Sequence, residues 1–265
     1  ILGPSMTERG YPKGYSCGVL CLTSLITATI PPSLGLILYG FVGNVSIGRL
    51  FIAGLIPGLL MCAALMLTVY LTSKHYGYDI PAPDVTAPTG AEVWSSAKEC
   101  FFALVFPILL IALIRFGLCT STEAGAVAVA YALFCGTAVY HELTWEKFKE
   151  SLIDSVIDTG GIIFIIAMSG IFSYAITVEQ VPTVLGRVLL GITNNSYLMQ
   201  ILIIIFLTIT GMFIDSNVNI LLFTPLILPV IIELGVNPVH FGIIMMTIVT
   251  MGCMTPPVGT ACYSV

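Results

Sequence analysis

Two pairs of adjacent prolines interrupt apolar stretches of this sequence, and these breaks are where it can do chemistry. One pair, Pro256 and Pro257, lies within residues 252 to 259, and the other lies within residues 30 to 33. Proline donates no amide hydrogen and clashes with the preceding turn, so a helix breaks at each pair. The carbonyls freed at a break can bind a hard cation such as sodium, and the amides that open the next half-helix can bind an anion.

The two breaks recur at one fixed offset in the chain. Four residues precede their counterparts by 225 positions: Pro4, Gly10, Pro31 and Pro32 against Pro229, Gly235, Pro256 and Pro257. This coincidence at helix-breaking positions predicts an internal duplication. Broken apolar segments at corresponding positions of two repeats indicate the substrate site of a secondary transporter, whereas two proline-kinked membrane helices are the simpler alternative.

The duplication predicts two equivalent cation sites, one at each break. The offset pairs residues at the two tips: Gly252 with Thr27, Thr255 with Ile30, and Val258 with Ser33. A further candidate is Asp215, which lies in the apolar run 197 to 232 together with Ser216, Asn217 and Asn219. A carboxylate at membrane depth is costly and marks a functional site, so these residues predict another unwound point.

The composition excludes a soluble globular protein. The chain has 57% hydrophobic and 9% charged residues, whereas soluble domains have roughly 25% charged residues. Residues 49 to 73, 158 to 178 and 197 to 214 are long enough to cross, or nearly cross, a hydrocarbon core of about 30 Å. We therefore expect an all-α polytopic membrane protein.

The chain is expected to divide into three parts. Residues 1–73 would end a first repeat with a re-entrant helical hairpin whose tip is 30–33, and residues 74–100 would link it to a second repeat over 101–265. In the second repeat, the pattern first predicts scaffold helices over 101–140, with Thr122 as a helix cap, and then an amphipathic arm helix over 143–157 in the membrane interface. A broken helix over 197–232 and a second re-entrant hairpin with its tip at 252–259 are predicted to follow.

The positive charges predict an orientation for this path. If the first hairpin opens to the cytoplasm, five basic residues face inward and four face outward: Arg9, Lys13, Arg49, Arg115 and Arg187 against Lys74, Lys98, Lys147 and Lys149. This positive-inside bias places the mouth of the second hairpin on the outer face, so the repeats are inverted, as alternating access requires. The repeat arithmetic also predicts an intact protein of about 420 to 430 residues.

Two other classes of protein stay open on the residues alone. An intramembrane enzyme could use Asp215 with Glu123, or Ser33 as a nucleophile, although no His lies in a span beside a Ser and no second Asp forms a dyad. An ion channel is the other class, but a channel would not need two inverted breaks at one offset.

Six stretches, taken in order, resemble the motifs of one known family. They are Ile30-Pro31-Pro32-Ser33, Val45-Ser46-Ile47-Gly48 to Pro57-Gly58, Thr122-Glu123-Ala124, Gly211-Met212-Phe213-Ile214-Asp215, Pro238-Val239-His240-Phe241-Gly242 and Thr255-Pro256-Pro257-Val258-Gly259. The family is the large membrane subunit (DctM-like permease) of tripartite ATP-independent periplasmic (TRAP) transporters. The resemblance implies the elevator-type ion transporter superfamily fold, with inverted repeats and two re-entrant helical hairpins.

The resemblance also implies an activity and its site residues. The activity is sodium-coupled import of a small organic anion, such as a C4-dicarboxylate, keto acid or sugar acid, with no enzymatic reaction and no cofactor besides the coupling sodium ions. The implied sodium ligands are the carbonyls of Gly211, Gly252 and Val258 with Thr255 in the second repeat, and Thr27, Ile30 and Ser33 in the first. The candidate substrate-binding residues are Asp215, Ser216, Ser33, Pro32 and Pro257.

The implied partners complete a three-component system. They are a small TRAP membrane subunit (DctQ-like) and a soluble periplasmic substrate-binding protein (DctP-like) that delivers the organic acid, with no nucleic acid. The implied location is the bacterial cytoplasmic (inner) membrane, which the chain would cross several times.

Overall fold

The computed structural model describes residues 2–78, 89–181, 183–184, 191 and 195–259 of the chain. Helices dominate these residues and no strand occurs among them, because an apolar chain in lipid must satisfy its backbone hydrogen bonds internally. Four helices are long and apolar enough to cross a membrane, namely Ile47–Tyr76, Thr122–Val139, Trp145–Val178 and Ser216–Glu233. The expectation of an all-α polytopic membrane protein is confirmed.

The described residues fall into two compact units, Ile1–Thr86 with Phe172–Val265 and Ala87–Ile171. The first unit contains α1 (Leu2–Glu8), α2 (Lys13–Thr29), α3 (Leu34–Gly43), α4 (Ile47–Tyr76), α9 (Ser196–Gly211), α10 (Ser216–Glu233) and α11 (Pro238–Cys253). The second unit contains α5 (Gly90–Glu99), α6 (Phe101–Arg115) and α7 (Ser121–Phe134), which continues directly as a π-helical segment over Cys135–Val139. Helix α8 (Trp145–Val178) begins in the second unit and ends in the first. The predicted linker residues 79–88, Arg187 and residues 260–265 lie outside the described residues.

Helices α2 and α3 form one broken span rather than the predicted re-entrant hairpin. The chain bends by only 42° between them. Helix α4 runs antiparallel to both helices. Near the start of α2, Tyr15 bonds Thr72, and at the break a Cβ on Gly54 would lie 2.5 Å from the Thr29 carbonyl oxygen. Near the end of α3, a Cβ on Gly40 would lie 2.7 Å from the Ile47 side chain. The hairpin assigned to the tip 30–33 is therefore wrong.

Helices α9 and α10 form an antiparallel helical hairpin where a broken helix was predicted over residues 197–232. The rings of Phe206 and Phe223 lie 5.1 Å apart, whereas a straight helix would separate them by about 25 Å. Closer to the turn, the Asn219 side-chain amide donates to the Thr210 hydroxyl at 3.1 Å. The two helices therefore return side by side from a tip at residues 212 to 215. Proline pairs and polar residues reveal where helices break, but the angle at a break depends on packing.

Helix α11 runs antiparallel to α3. A Cβ on Gly35, early in α3, would clash with Met246, and a Cβ on Gly242 would clash with Tyr39 further along α3. The Tyr39 hydroxyl donates to the Pro238 carbonyl at 2.8 Å. Since α3 continues the direction of α2, helices α2 and α11 run in opposite senses.

The backbone around the start of α2 matches that around the start of α11 at the offset of 225. Helices α1 and α10 end at the equivalent residues Glu8 and Glu233, and α2 and α11 begin at the equivalent residues Lys13 and Pro238. The turns between them share one pattern of backbone hydrogen bonds. In the first turn, the Gly10 amide donates to the Thr7 carbonyl and the Tyr11 amide to the Met6 carbonyl. In the second turn, the Gly235 amide donates to the Ile232 carbonyl and the Val236 amide to the Ile231 carbonyl. Both glycines have positive φ, 85° and 73°, as this type of helix end requires. These matches, with the opposite directions of α2 and α11, support the inverted duplication.

In the second unit, α6 and α7 pack as an antiparallel pair. The Phe106 and Tyr131 rings lie 5.5 Å apart, and the Tyr131 hydroxyl donates to the Phe102 carbonyl at 2.8 Å. Thr120, not the predicted Thr122, caps α7, because Glu123 stands three residues after Thr120 and completes a reciprocal capping box.

The predicted arm over 143–157 is not a separate helix. Its residues continue without a break into the span that follows, as the single helix α8 of 34 residues. No proline lies between Trp145 and Val178, and the helix tolerates the three glycines there, Gly160, Gly161 and Gly170. The location of residues 143–157 in the membrane interface stays a prediction.

The broken span also changes which charges share an end of the first unit. The hydroxyls of Tyr11 and Ser73 lie 3.1 Å apart, so the start of α2 lies beside the end of α4. Lys13 and Lys74 therefore lie at one end of this unit, and Arg49, at the start of α4, lies at the other. The expected grouping of Lys13 with Arg49, opposite Lys74, is wrong.

Candidate functional site

An open cavity of about 480 Å³, with several hydroxyl groups in its lining, lies in the first unit, where the break between α2 and α3 meets the tip of the α9–α10 hairpin. Its polar lining consists of Thr23, Ser24, Thr27, Ser33, Ser216 and Asn217. This volume is within the range of roughly 300 to 1,000 Å³ that is usual for small-molecule sites. A cavity with so many hydroxyls, in a chain with 57% hydrophobic residues, is the strongest candidate for a binding site.

Ser33 organises the break that borders the cavity. Its buried hydroxyl donates to the Ala28 carbonyl at 2.5 Å and accepts from the Leu36 amide at 3.4 Å. These bonds close the end of α2 and cap the start of α3. They also commit the hydroxyl to the backbone, which argues against Ser33 as a nucleophile. Helix geometry leaves the amides of Leu34 and Gly35 without intrahelical acceptors, and both residues line the cavity.

Asp215 caps the second helix of the hairpin. Its side chain is exposed, and its Oδ1 accepts from the Asn217 amide at 2.9 Å. The carboxylate thus satisfies one of the orphan amides at the start of α10. This gives Asp215 a structural role in addition to its negative charge.

A buried pair of polar side chains holds the hairpin closed just behind its tip. Asn219 is fully buried, and its amide donates to the Thr210 hydroxyl across the two helices. A buried amide without a partner would cost about 1 to 3 kcal/mol, so the pair disfavours separation of the arms. It fixes the positions of Ser216 and Asn217, which face the cavity.

The second proline break lies against the end of α9. A Cβ on Gly252 would lie 2.8 Å from both the Gly211 Cα and the Thr208 carbonyl oxygen, so the two backbones are in direct contact. The Gly259 amide donates to the Met212 carbonyl at 3.3 Å, which brings the loop after α11 over the hairpin tip. The Thr255 hydroxyl donates to the Met251 carbonyl at 2.8 Å and keeps its lone pairs for another partner.

The structure separates the sequence-predicted site residues into two groups. Thr27, Pro32, Ser33 and Ser216 line the cavity, whereas Gly211, Gly252, Thr255 and Val258 lie around the second break. Ile30 caps the end of α2 and packs against Gly58 of α4. Asp215 and Pro257 are exposed, and neither is among the residues described as lining the cavity.

Sequence reasoning missed part of the cavity. Thr23 and Ser24 line it, and so does Asn217, which the sequence only marked as part of an unwound point. A usable signal was present, since Thr23 and Thr27 are four residues apart and therefore share one face of α2, directly before the break.

Comparison with known proteins supplies the family. Residues 1–265 match the family of the tripartite ATP-independent periplasmic transporter, DctM component. The chain belongs to this DctM family. Its breaks and cavity can therefore be interpreted as parts of a transporter permease, which agrees with the resemblance found in its motifs.

Three curated relatives illustrate what DctM proteins carry. The chain is 38% identical to the sialic acid TRAP transporter large permease protein SiaM of Vibrio cholerae, over 98% of the chain and 60% of the relative. It is 33% identical to the 2,3-diketo-L-gulonate TRAP transporter large permease protein YiaN of Escherichia coli, over 98% of the chain and 60% of the relative. It is 32% identical to the C4-dicarboxylate TRAP transporter large permease protein DctM of Pseudomonas aeruginosa, over 96% of the chain and 58% of the relative. The chain thus spans about three fifths of the length of these relatives, all of which are named as transport proteins.

Proposed function

We propose that the protein is the membrane permease of a sodium-coupled system that imports a small organic anion. The observation that carries the proposal is the cavity between the α2–α3 break and the hairpin tip, whose lining contains several hydroxyl groups in an otherwise apolar chain of the DctM family. Helix breaks are tolerated at membrane depth where they line such a cavity.

The substrate carboxylate binds at the start of α3. The amides of Leu34 and Gly35 have no intrahelical acceptor, and the positive end of the helix dipole favours an anion there. The described lining contains no Lys or Arg that could take this role. Asp215 lies beside the opposite wall and would repel the anion, so we place the carboxylate at α3 rather than at α10.

The coupling sodium ions bind at the breaks. At the second break, the candidate ligands are the carbonyls of Gly211, Gly252 and Val258 with the Thr255 hydroxyl, and the contact between the Gly211 and Gly252 backbones supports this choice. At the first break, the corresponding candidates are Ile30, Ser33 and the backbone carbonyl of Thr27, which is the counterpart of the Gly252 carbonyl and leaves the Thr27 hydroxyl free for the substrate. Asp215 lies between the two breaks in sequence and adds a negative charge that favours cations near the tip.

Alternating access proceeds by an elevator movement of the first unit. Both breaks, the hairpin and the cavity belong to this unit, so a movement of the unit carries the site with it. Opposite directions of the counterpart helices α2 and α11 are the symmetry that such a mechanism uses.

The partners are a small membrane subunit and a periplasmic binding protein that delivers the acid, in the bacterial cytoplasmic membrane. The positive-inside rule orients the first unit, because Arg9, Lys13 and Lys74 lie at one end and Arg49 at the other. We assign the end with three cations to the cytoplasm.

The test is uptake of labelled organic acids by proteoliposomes that contain the full-length permease with its small subunit, supplied with the cognate binding protein. We expect accumulation only with an inward sodium gradient. Accumulation that ignores the gradient would refute sodium coupling, and a covalent product of the acid would refute transport as the activity.

A further inference from the structure

We infer that the substrate is a hydroxylated monocarboxylate of the sugar-acid class rather than a C4-dicarboxylate, and that Thr23, Ser24 and Thr27 of α2 recognise its hydroxyl groups. This inference rests on the proposed function, which leaves the kind of organic acid open. It follows from the hydrogen bonds that the lining hydroxyls already make.

Each of the three α2 hydroxyls that line the cavity donates a hydrogen bond to a backbone carbonyl of α2. Thr23 Oγ1 donates to the Leu20 carbonyl at 2.6 Å, Ser24 Oγ to the Cys21 carbonyl at 2.7 Å, and Thr27 Oγ1 to the Thr23 carbonyl at 3.1 Å. A hydroxyl has one proton and two lone pairs. Each of these side chains therefore presents acceptors to the cavity.

Donors to a ligand lie on other parts of the lining. They are the first amides of α3, at Leu34 and Gly35, and the side-chain amide of Asn217 at the start of α10. The Ser33 hydroxyl is no additional donor, since its proton goes to the Ala28 carbonyl. The cavity thus has a donor end and, along α2, a row of acceptors.

The separation of hydrogen-bond donors and acceptors in the lining favours a hydroxylated monocarboxylate over a dicarboxylate. An ionised carboxylate only accepts hydrogen bonds, so one carboxylate finds partners at the donor end and a second would face the row of oxygen acceptors. Hydroxyl groups, or an amide N–H, can instead donate to that row. A ligand with one carboxylate and several such donors satisfies both parts of the lining.

The first experiment measures ligand-induced thermal stabilisation of the purified full-length permease in sodium. The probes are N-acetylneuraminate, D-galacturonate and D-gluconate as hydroxylated monoacids, succinate and fumarate as dicarboxylates, and hexanoate as a monoacid without hydroxyls. We expect at least one hydroxylated monoacid to raise the unfolding temperature, and the other acids to have no effect. Stabilisation by a dicarboxylate or hexanoate alone, or by no acid, would overturn the inference.

The second experiment assigns the recognition to α2. Thr27→Val removes the lone pairs and keeps the shape, and we expect it to weaken binding of the stabilising monoacid about three- to tenfold. Ser24→Ala should have a similar effect. The matched control is Thr68→Val on α4, whose exposed hydroxyl donates to the Ala64 carbonyl in the same way but lies outside the cavity lining. Equal affinities in Thr27→Val, Ser24→Ala and the control would refute the role of α2.

Sodium-driven uptake of the same probes separates this inference from the proposed function. Uptake of succinate without uptake of any hydroxylated monoacid would overturn the inference and leave the transporter intact. Uptake of no acid under a sodium gradient would refute both.

Discussion

Different substitutions can separate the capping role of Asp215 from the role in sodium coupling that we propose for its charge. Asn caps a helix about as well as Asp, so Asp215→Asn should retain the bond to the Asn217 amide and remove only the charge. We expect wild-type thermal stability with strongly reduced sodium-coupled uptake. Asp215→Ala removes the cap as well and should lower the free energy of unfolding by about 1 kcal/mol. Normal uptake by Asp215→Asn at limiting sodium would show that the residue serves only as a cap.

A substitution at Thr255 tests the cation site that we propose at the second break. Thr255→Val keeps the side-chain shape and removes the hydroxyl, so we expect a higher sodium concentration for half-maximal uptake in proteoliposomes. Thr247→Val is the matched control, because the Thr247 hydroxyl also bonds a carbonyl of α11, that of Ile243 at 2.8 Å, one or two turns before the break. If both variants keep the wild-type sodium dependence, Thr255 is not a ligand.

At the scale of the helices, the contact between α9 and α11 depends on two glycines. A methyl group on Gly252 would meet backbone atoms of α9, which cannot rotate away. We expect Gly252→Ala to destabilise the full-length protein by about 1 to 3 kcal/mol, through overpacking. Gly18→Ala on α2 is the control, since a Cβ there meets nothing within 4 Å and alanine favours a helix. Thermal unfolding in detergent measures both, and equal stability of the two variants would contradict the close approach.

The sequence predicted where the helices of the first unit end, but not how they continue. Pro31 with Pro32, and Asp215 with Ser216, mark real breaks because proline and helix-capping residues act locally. Whether the chain crosses or returns at a break depends on distant partners. Gly54 lets α4 lie against the α2–α3 break, whereas the bond from Asn219 to Thr210 joins the two arms of the hairpin.

The residues of the candidate site also divide into some that the sequence could predict and others that it could not. Thr27, Pro32, Ser33 and Ser216 could be found from the sequence because they lie at the breaks themselves. Thr23 lies a turn earlier, within regular helix, where a threonine that bonds back to its own backbone is common in membrane segments. The four-residue spacing places Thr23 on the same face of α2 as Thr27, but only the fold shows that this face borders a cavity.

At the scale of the whole molecule, the broken span predicts which ends are exposed on each side of the membrane. In a cysteine-free background, Lys13→Cys and Lys74→Cys should react with a membrane-impermeant thiol reagent only from the cytoplasmic side. Arg49→Cys should react from the opposite side, because α2 and α3 together cross the membrane. Labelling of Lys13→Cys and Arg49→Cys from the same side would contradict the broken span and support the re-entrant hairpin that the sequence predicted.

The bond from Tyr39 to the Pro238 carbonyl has a consequence for biogenesis. These residues are 199 positions apart, and at roughly 5 to 20 residues per second a ribosome needs about 10 to 40 s to reach the second after the first. During that time α3 is in the membrane before α11 has been synthesised. The Tyr39 hydroxyl then lacks its acceptor, the Pro238 carbonyl, and Gly35 lacks its packing partner, Met246. The core of the first unit therefore closes only after translation of the second repeat. Nascent chains that stop before α11 should be targets for membrane quality-control proteases.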